Sequence, residues 1–448
     1  MDSGAYLRAA RTAAYRTPGV YYETRGEARA QPIFRTGIPL FVGFAQPMRD
    51  GPRASKACHI DRWQQFVQLY EPLPDSYLGY AVRGFFENGG ECCAIVAVQC
   101  NQNSPAEMTR ALISVFEGNA LDNSDGIDLV CVPDAMLPAI RVDHDAVRGI
   151  QAAVLDHCHR MGDRFAILDG FNNEESNKHL APEGSKRNTE PPILHWQSLP
   201  RQHGAFGALY YPWISVRKSF VAEDSEISRR TGMPCDEMIR RADIGTAFLN
   251  SHHTQFVPPS GHLAGTYARA DVRTGVHKAP ANEILEGVLK LELDFSDDEQ
   301  EPLNEAGVNC LRSFAGRGTR VWGARTLSGQ PDGLYVNVRR LILTLTRWIR
   351  QNMNDLVYEG NSPFLWERVS QRLSAHCRDL FDRGALMGNS PAEAFFVKCD
   401  AETNTLESRE AGQVVALVGL APAIPAEFVV VRITQSASAT AVTGLNVS

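Results

Sequence analysis

Long apolar runs are missing from this chain. Nothing in its 448 residues approaches eighteen consecutive apolar side chains, so no helical membrane span is expected. The N-terminal stretch is polar and arginine-containing, without the apolar core of a signal peptide, which makes cytoplasmic synthesis without Sec export the expectation. A basic surplus is also missing. Lys and Arg number 45 against 52 Asp and Glu, a formal net charge of −7, and this balance offers no electrostatic case for nucleic acid as a partner.

Motifs that carry chemistry are equally scarce. The ten cysteines fall at 58, 92, 93, 100, 131, 158, 235, 310, 377 and 399 with no CxxC pair, so zinc-ribbon and thioredoxin spacings are excluded. Several, such as Cys131 between Val130 and Val132, sit in apolar runs and read as small buried hydrophobes of a reducing compartment. There is no GxxxxGK[ST], no HExxH and no GxSxG, and Gly316, Gly318 and Gly323 miss the GxGxxG spacing. His157 and His159 stand two apart in a helical pattern and therefore point to different faces, a poor chelate. His252 and His253 lack a third ligand at useful spacing, and the acidic run Asp294–Glu301 lacks the glycine and register of a calcium loop, which leaves it as a solvated loop. No catalytic, cofactor-binding or metal residue is assigned, and no cofactor is expected. A hydrolase whose Ser, His and Asp come together only in the fold stays open as an alternative.

What the chain does contain is globular: 44% hydrophobic and 22% charged residues, at a length that suggests two to three domains. Ile38–Phe44, Cys92–Val98, Ile127–Val132 and Arg164–Leu168 are short apolar runs of the kind buried on both faces of a parallel sheet. They alternate with helical patterns ending at Glu87 or spanning Ala106–Phe116 and Ala146–Arg160, and Ala205–Val216 adds a further strand; such alternation predicts βαβ units. The polar, Pro-rich stretch 172–200 reads as an exposed insertion. Val338, Leu341, Ile342, Leu345, Ile349 and Met353 recur at helical spacing, as do Leu365, Val369, Leu373, Cys377, Leu380 and Phe381. Ser362 as N-cap, Pro363 at the first helical position and Gly384 as stop bound the second helix, and a helical hairpin is expected. Ala394–Cys399, Gln413–Gly419 and Pro425–Ile433 read as strands. The Ser/Ala/Thr-rich tail from Gln435 has little to pack and reads as an arm or a disordered end.

A set of segments in fixed order resembles the phage tail sheath family: Thr17–Tyr21, Pro39–Gly43, Pro258–Gly265, Tyr267–Asp271, Gly275–Asn282, Leu303–Asn309, Val321–Leu327, Tyr335–Arg340 and Pro425–Phe428. The stretch from Arg312 to Ile433 carries most of it. The likeness is to sheaths of extracellular contractile injection systems of the antifeeding-prophage and virulence-cassette kind. It implies an α/β chain: a discontinuous α+β inner domain of sheath C-terminal type, with an inserted, mainly parallel α/β domain of the so-called subtilisin-like type and extended terminal arms. That name describes fold alone, since no GTSxA nucleophile segment is present.

The resemblance implies an N-terminal linker arm at 1–24, inner-domain parts at 25–100 and 305–434, an inserted outer domain at 101–304 and a C-terminal arm at 435–448. It implies a structural, non-enzymatic subunit of a contractile sheath, in stacked rings of six around an inner tube, with baseplate and cap proteins as further partners and no direct membrane insertion. A cap or baseplate component of the same machine is a second alternative. Release of the particle outside the cell is a further expectation of this resemblance. Inter-subunit strands would come from Val20, Tyr21 and Tyr22 and from Phe428, Val429, Val430, Val431 and Ile433, because a strand added to a sheet edge binds through backbone geometry rather than side-chain identity. On the two helices, Arg339, Arg340, Arg347, Arg350, Glu367, Arg368, Arg372 and Asp379 are the expected contacts to the tube.

Overall fold

A computed structural model describes residues 34–48, 56–73, 75–99, 104–118, 121–122, 124, 126–172, 201–218, 254–330, 333–423, 429–436 and 439–446. The expected arm residues Val20, Tyr21, Tyr22 and Phe428, and the 172–200 insertion beyond Asn172, lie outside the described residues. The chain divides after Phe34, and the strands and helices named here belong to the unit Arg35–Ser448.

The apolar runs become strands because each can bury both faces. β1 (Pro39–Pro47), β4 (Cys93–Val98), β5 (Leu129–Cys131), β6 (Phe165–Asp169) and β7 (Gly207–Tyr211) are buried almost throughout. They pair in parallel, β4–β1–β5–β6–β7, and β11 (Val308–Phe314) continues the parallel set. The edges are antiparallel: β12 (Gly318–Trp322) on β11, and β2 (Cys58–Ile60) on β4, with β3 (Tyr70–Pro72) joined to the end of β1. The result is a nine-stranded mixed sheet. β8 (Ile214–Arg217) is a strand of its own, paired with β9 (Thr254–Val257) and β10 (Lys290–Leu291) in a small second sheet.

Two helix pairs cover the large sheet. α1 (Leu78–Glu87) packs on α4 (Ser260–Arg273), and α2 (Pro105–Glu117) packs on α3 (His144–Met161). The first pair meets almost backbone to backbone. A Cβ at Gly261 would lie 2.2 Å from the Cα of Ala81, and one at Gly265 would lie 2.3 Å from the Phe85 carbonyl oxygen. Glycines four apart place both contacts on one face of α4. The second pair starts on caps: Ser104 with Pro105 behind it, and Asp143, whose carboxylate accepts the amides of Asp145 and Ala146. α3 stops at Gly162, φ 66°.

The acidic run expected as a loop is instead partly helical. Asp297–Glu305 forms α5, because Ser296 and Glu299 make a capping box and three acids occupy the first turn, where the helix dipole favours them.

After the large sheet come α6 (Val336–Asn352) and α7 (Pro363–Asp382), followed by β13 (Phe395–Lys398), β14 (Val414–Leu420), β15 (Val429–Ser436) and β16 (Ala439–Asn446). Ser362 caps α7 by position without a side-chain bond, and Gly384 follows its end at φ 74°. The two helices and the strands β13 and β14 enclose a second core that includes Leu345, Ile349, Val369, Leu373 and Val418, and β15 and β16 extend the sheet beyond β14.

Two expectations meet a different arrangement here. Strands from 25–100 and from beyond 304 share one sheet with those between, so the lines at 100/101 and 304/305 do not divide the sheet. The tail is not an unpaired arm within this chain: Ala439–Asn446 folds back on β15, pairing Ser436 with Ala439 and Val429 with Asn446. Its alternating β-branched residues (Thr440, Val442) suit a strand once a partner edge lies two residues upstream.

Candidate assembly surfaces

The first helix of the expected tube contact is largely turned inward. Arg340 is 3% exposed. Its guanidinium donates to both Asp271 oxygens (2.8 and 2.6 Å) and to Asp128 (3.3 Å), and lies 4.9 Å from the centroid of the Tyr267 ring. Burial opposes its charge, but the two carboxylates hold its pKa above the ordinary range. Arg347 is buried too, donating to the Arg35 carbonyl at 2.9 Å with Asp128 at 3.8 Å. Arg339 lies 3.9 Å over the Phe206 ring, and burial pulls its pKa down to about 10. Arg350 is half-buried between the Met161 carbonyl (2.7 Å) and Asp163 (2.9 Å). These four were placed at the tube on helical spacing. The structure corrects Arg340 and Arg347 outright and commits Arg339 and Arg350 to contacts within the chain. α6 has no wide polar face, because it packs against the α/β layer on the side that an amphipathic reading leaves to solvent.

The second helix differs. Glu367 and Asp379 are exposed. Arg368 pairs with Glu359 and Arg372 with Asp355, both at the surface. Phe364 is 69% exposed at the start of α7, and Tyr358 is 90% exposed just ahead of it. The α7 residues expected at a surface therefore stand on one, with two aromatic side chains that spacing did not flag.

The antiparallel sheet presents two edges. β13 carries Phe396, 42% exposed, and β16 is the other outer strand. Val429, Val430, Val431 and Ile433, expected to reach a neighbour, occupy β15 between β14 and β16 of the same chain.

Buried ionisable groups in the α/β layer serve the backbone. Asp134, beyond the end of β5, accepts the amides of Phe44 and Tyr77 (both 2.6 Å) and the Ser76 hydroxyl (2.7 Å), and burial raises its pKa to about 6. Asp169, at the end of β6, accepts the Ser260 amide at 2.8 Å, and burial raises it to about 7. Carboxylates at the strand ends of an α/β sheet are where ligand sites form; here they tie loops and a helix N-terminus to the sheet. His157 lies between Arg164 (2.9 Å) and Arg160 (3.2 Å), and burial, with those cations, lowers it to about 3. Among the described residues no cluster of three or more metal-ligating side chains occurs, and no helix is long and apolar enough to cross a membrane.

Residues 120–327 match the family model for the phage tail sheath protein central domain. The tail sheath protein of Salmonella phage ViI is 26% identical over 206 residues, covering 44% of this chain and 32% of its own length. The chain thus aligns with about a third of that relative. Among solved structures, the helical sheath of the anti-feeding prophage in its contracted state is 27% identical with a TM-score of 0.64, covering 92% of this chain and 98% of that one. The contracted sheath complex of an extracellular contractile injection system, PVC, is 25% identical with a TM-score of 0.63, covering 92% and 95%. Residues 120–327 thus match a phage tail sheath central domain, and the chain shares its fold along 92% of its length with those two contracted sheath chains.

Proposed function

We propose that this chain is the structural subunit of a contractile sheath that polymerises around an inner tube and contracts to drive it through a target envelope. The observation that carries the reading is the match, at 27% identity over 92% of the chain, to a subunit of a contracted helical sheath. The absence of nucleotide-binding motifs from the sequence fits work stored at assembly: an extended array trapped kinetically above a contracted one, with a few kcal/mol per subunit summed over many copies. Head-to-tail contacts generate rings or helices, so stacked rings, six subunits each, are the expected form.

In this reading the segment 1–24 and the strands after 428 link neighbours by strand addition, and flexible connections let subunits swing while staying joined. β15 and β16, paired within the chain here, would exchange into a neighbour's sheet on assembly, which replaces one set of backbone bonds with an equivalent one. The tube face is assigned to α7 through Glu367, Arg368, Arg372 and Asp379. The large mixed sheet with its covering helices has no enzymatic role. Baseplate and cap proteins are the end partners, and release of the particle from the cell follows the extracellular systems. A second reading, a copy at the baseplate end, is favoured by similarity to a chain in the anti-feeding prophage baseplate (27% identical, TM-score 0.62).

Electron microscopy of the purified chain with and without its tube partner tests the proposal. Rings or tubes are expected. A chain that stays monomeric in both conditions overturns it.

A further inference from the structure

Four consecutive residues at the point where the N-terminal segment meets the body are each gripped by a buried side chain. The Arg35 carbonyl accepts from Arg347 of α6 at 2.9 Å. The Thr36 hydroxyl bonds Asp271 of α4. The Gly37 and Ile38 amides donate to the two oxygens of Asp128, at 2.9 and 2.6 Å. Arg340 then bridges Asp271 and Asp128, closing a cluster of two cations and two anions. Gly37 is at φ 75°, and a Cβ there would lie 2.5 Å from the Cα of Ala268, so the chain is pressed onto α4 at this residue.

A buried ion cluster is a poor way to gain stability, since apolar replacements often do as well. What it supplies is fixed geometry, and this one fixes one short stretch of backbone to α6, the helix that leads to α7 and the terminal sheet. We propose that the Asp128–Arg340–Asp271–Arg347 cluster is a clamp on the root of the N-terminal segment, passing any pull on that segment into α6. The mechanical role rests on the sheath reading above; the clamp itself does not.

The test is hydrogen exchange on the isolated full-length chain. In Arg347→Met, amides of 35–39 should exchange about tenfold faster or more, while peptides from β5 and β6 keep wild-type rates. Unchanged protection at 35–39 overturns the clamp, and so does a uniform rise across the sheet, which would make the cluster a general stabiliser. Should Arg347→Met fail to fold, Thr36→Val removes only the hydroxyl contact and carries the same comparison. Electron microscopy of the variant supplies the second arm. If the wild type forms tubes, the variant should form shorter or sheared ones, and tubes of wild-type length and integrity overturn force transmission. If the wild type forms none, the sheath reading fails while the exchange result still decides the clamp.

Discussion

Arg340→Met should cost about 3–5 kcal/mol of stability at neutral pH, the usual penalty for stranding a buried charge. The side chain of Asp271 is 1% exposed, and its carboxylate receives two of the guanidinium's bonds. Burial already raises the pKa of Asp271, and Arg340 pulls against that rise. Without the cation, burial acts unopposed and the folded-state pKa climbs further above the unfolded value. A carboxyl with a raised folded pKa contributes stability that is present below its unfolded pKa and lost as pH rises through the folded one. The deficit of Arg340→Met relative to wild type should therefore be larger at pH 8 than at pH 5. Adding Asp271→Asn should return part of the loss, with a coupling of about 1–3 kcal/mol in the double-mutant cycle. Urea denaturation followed by tryptophan fluorescence at both pH values reads all of this. A cost under about 1 kcal/mol, or a loss independent of pH and untouched by Asp271→Asn, would refute the account of a buried pair.

Other expectations follow from single sites. Asp169→Asn should stabilise the chain at pH 8.5 and change little at pH 4, because the carboxyl, raised by burial to about 7, favours its neutral form when folded; paired thermal melts measure it. His157, lowered to about 3 first by burial and then by Arg164 and Arg160, has the opposite sign: its stabilisation is present above 6.5 and is lost as pH falls toward 3. Replacing it with Gln should flatten the acid limb of the stability profile. Gly265→Val should destabilise by about 1–3 kcal/mol or prevent folding, since its Cβ would lie 2.3 Å from the Phe85 carbonyl oxygen; soluble yield and urea midpoint report it. Charge reversal at Glu367 and Asp379 should weaken tube association in co-sedimentation and leave the melting temperature unchanged, because both side chains are exposed. Unaltered co-sedimentation would remove α7 from the tube face.

The large sheet was legible wherever strands bury both faces. Cys93–Val98 and Phe165–Leu168 are continuous apolar runs, and nothing but a central strand or a buried helix turn accommodates them. α7 was legible from its spacing and from Ser362, Pro363 and Gly384, all local signals. α6 was legible as a helix but not in its orientation. Periodicity marks one apolar face, and it cannot reveal that arginines on the other side meet Asp128 and Asp271, separated from Arg340 by 212 and 69 residues. Val429–Ile433 shows the same limit. Its β character is evident, but whether its partner strand comes from this chain or from another copy is a matter of which edge lies near, and the alternating residues after Ser436 supply one.

Sequence alone carried the likeness to tail sheath proteins, the strand and helix character of most segments and the scarcity of chemical motifs, because these depend on residue type, short spacing and order along the chain. Only the tertiary structure decided which charges face solvent, that α6 is locked to the α/β layer through a buried ion cluster, and that this cluster holds Arg35–Ile38. Burial and pairing of charge depend on contacts between residues far apart in the chain, and local pattern carries no record of them.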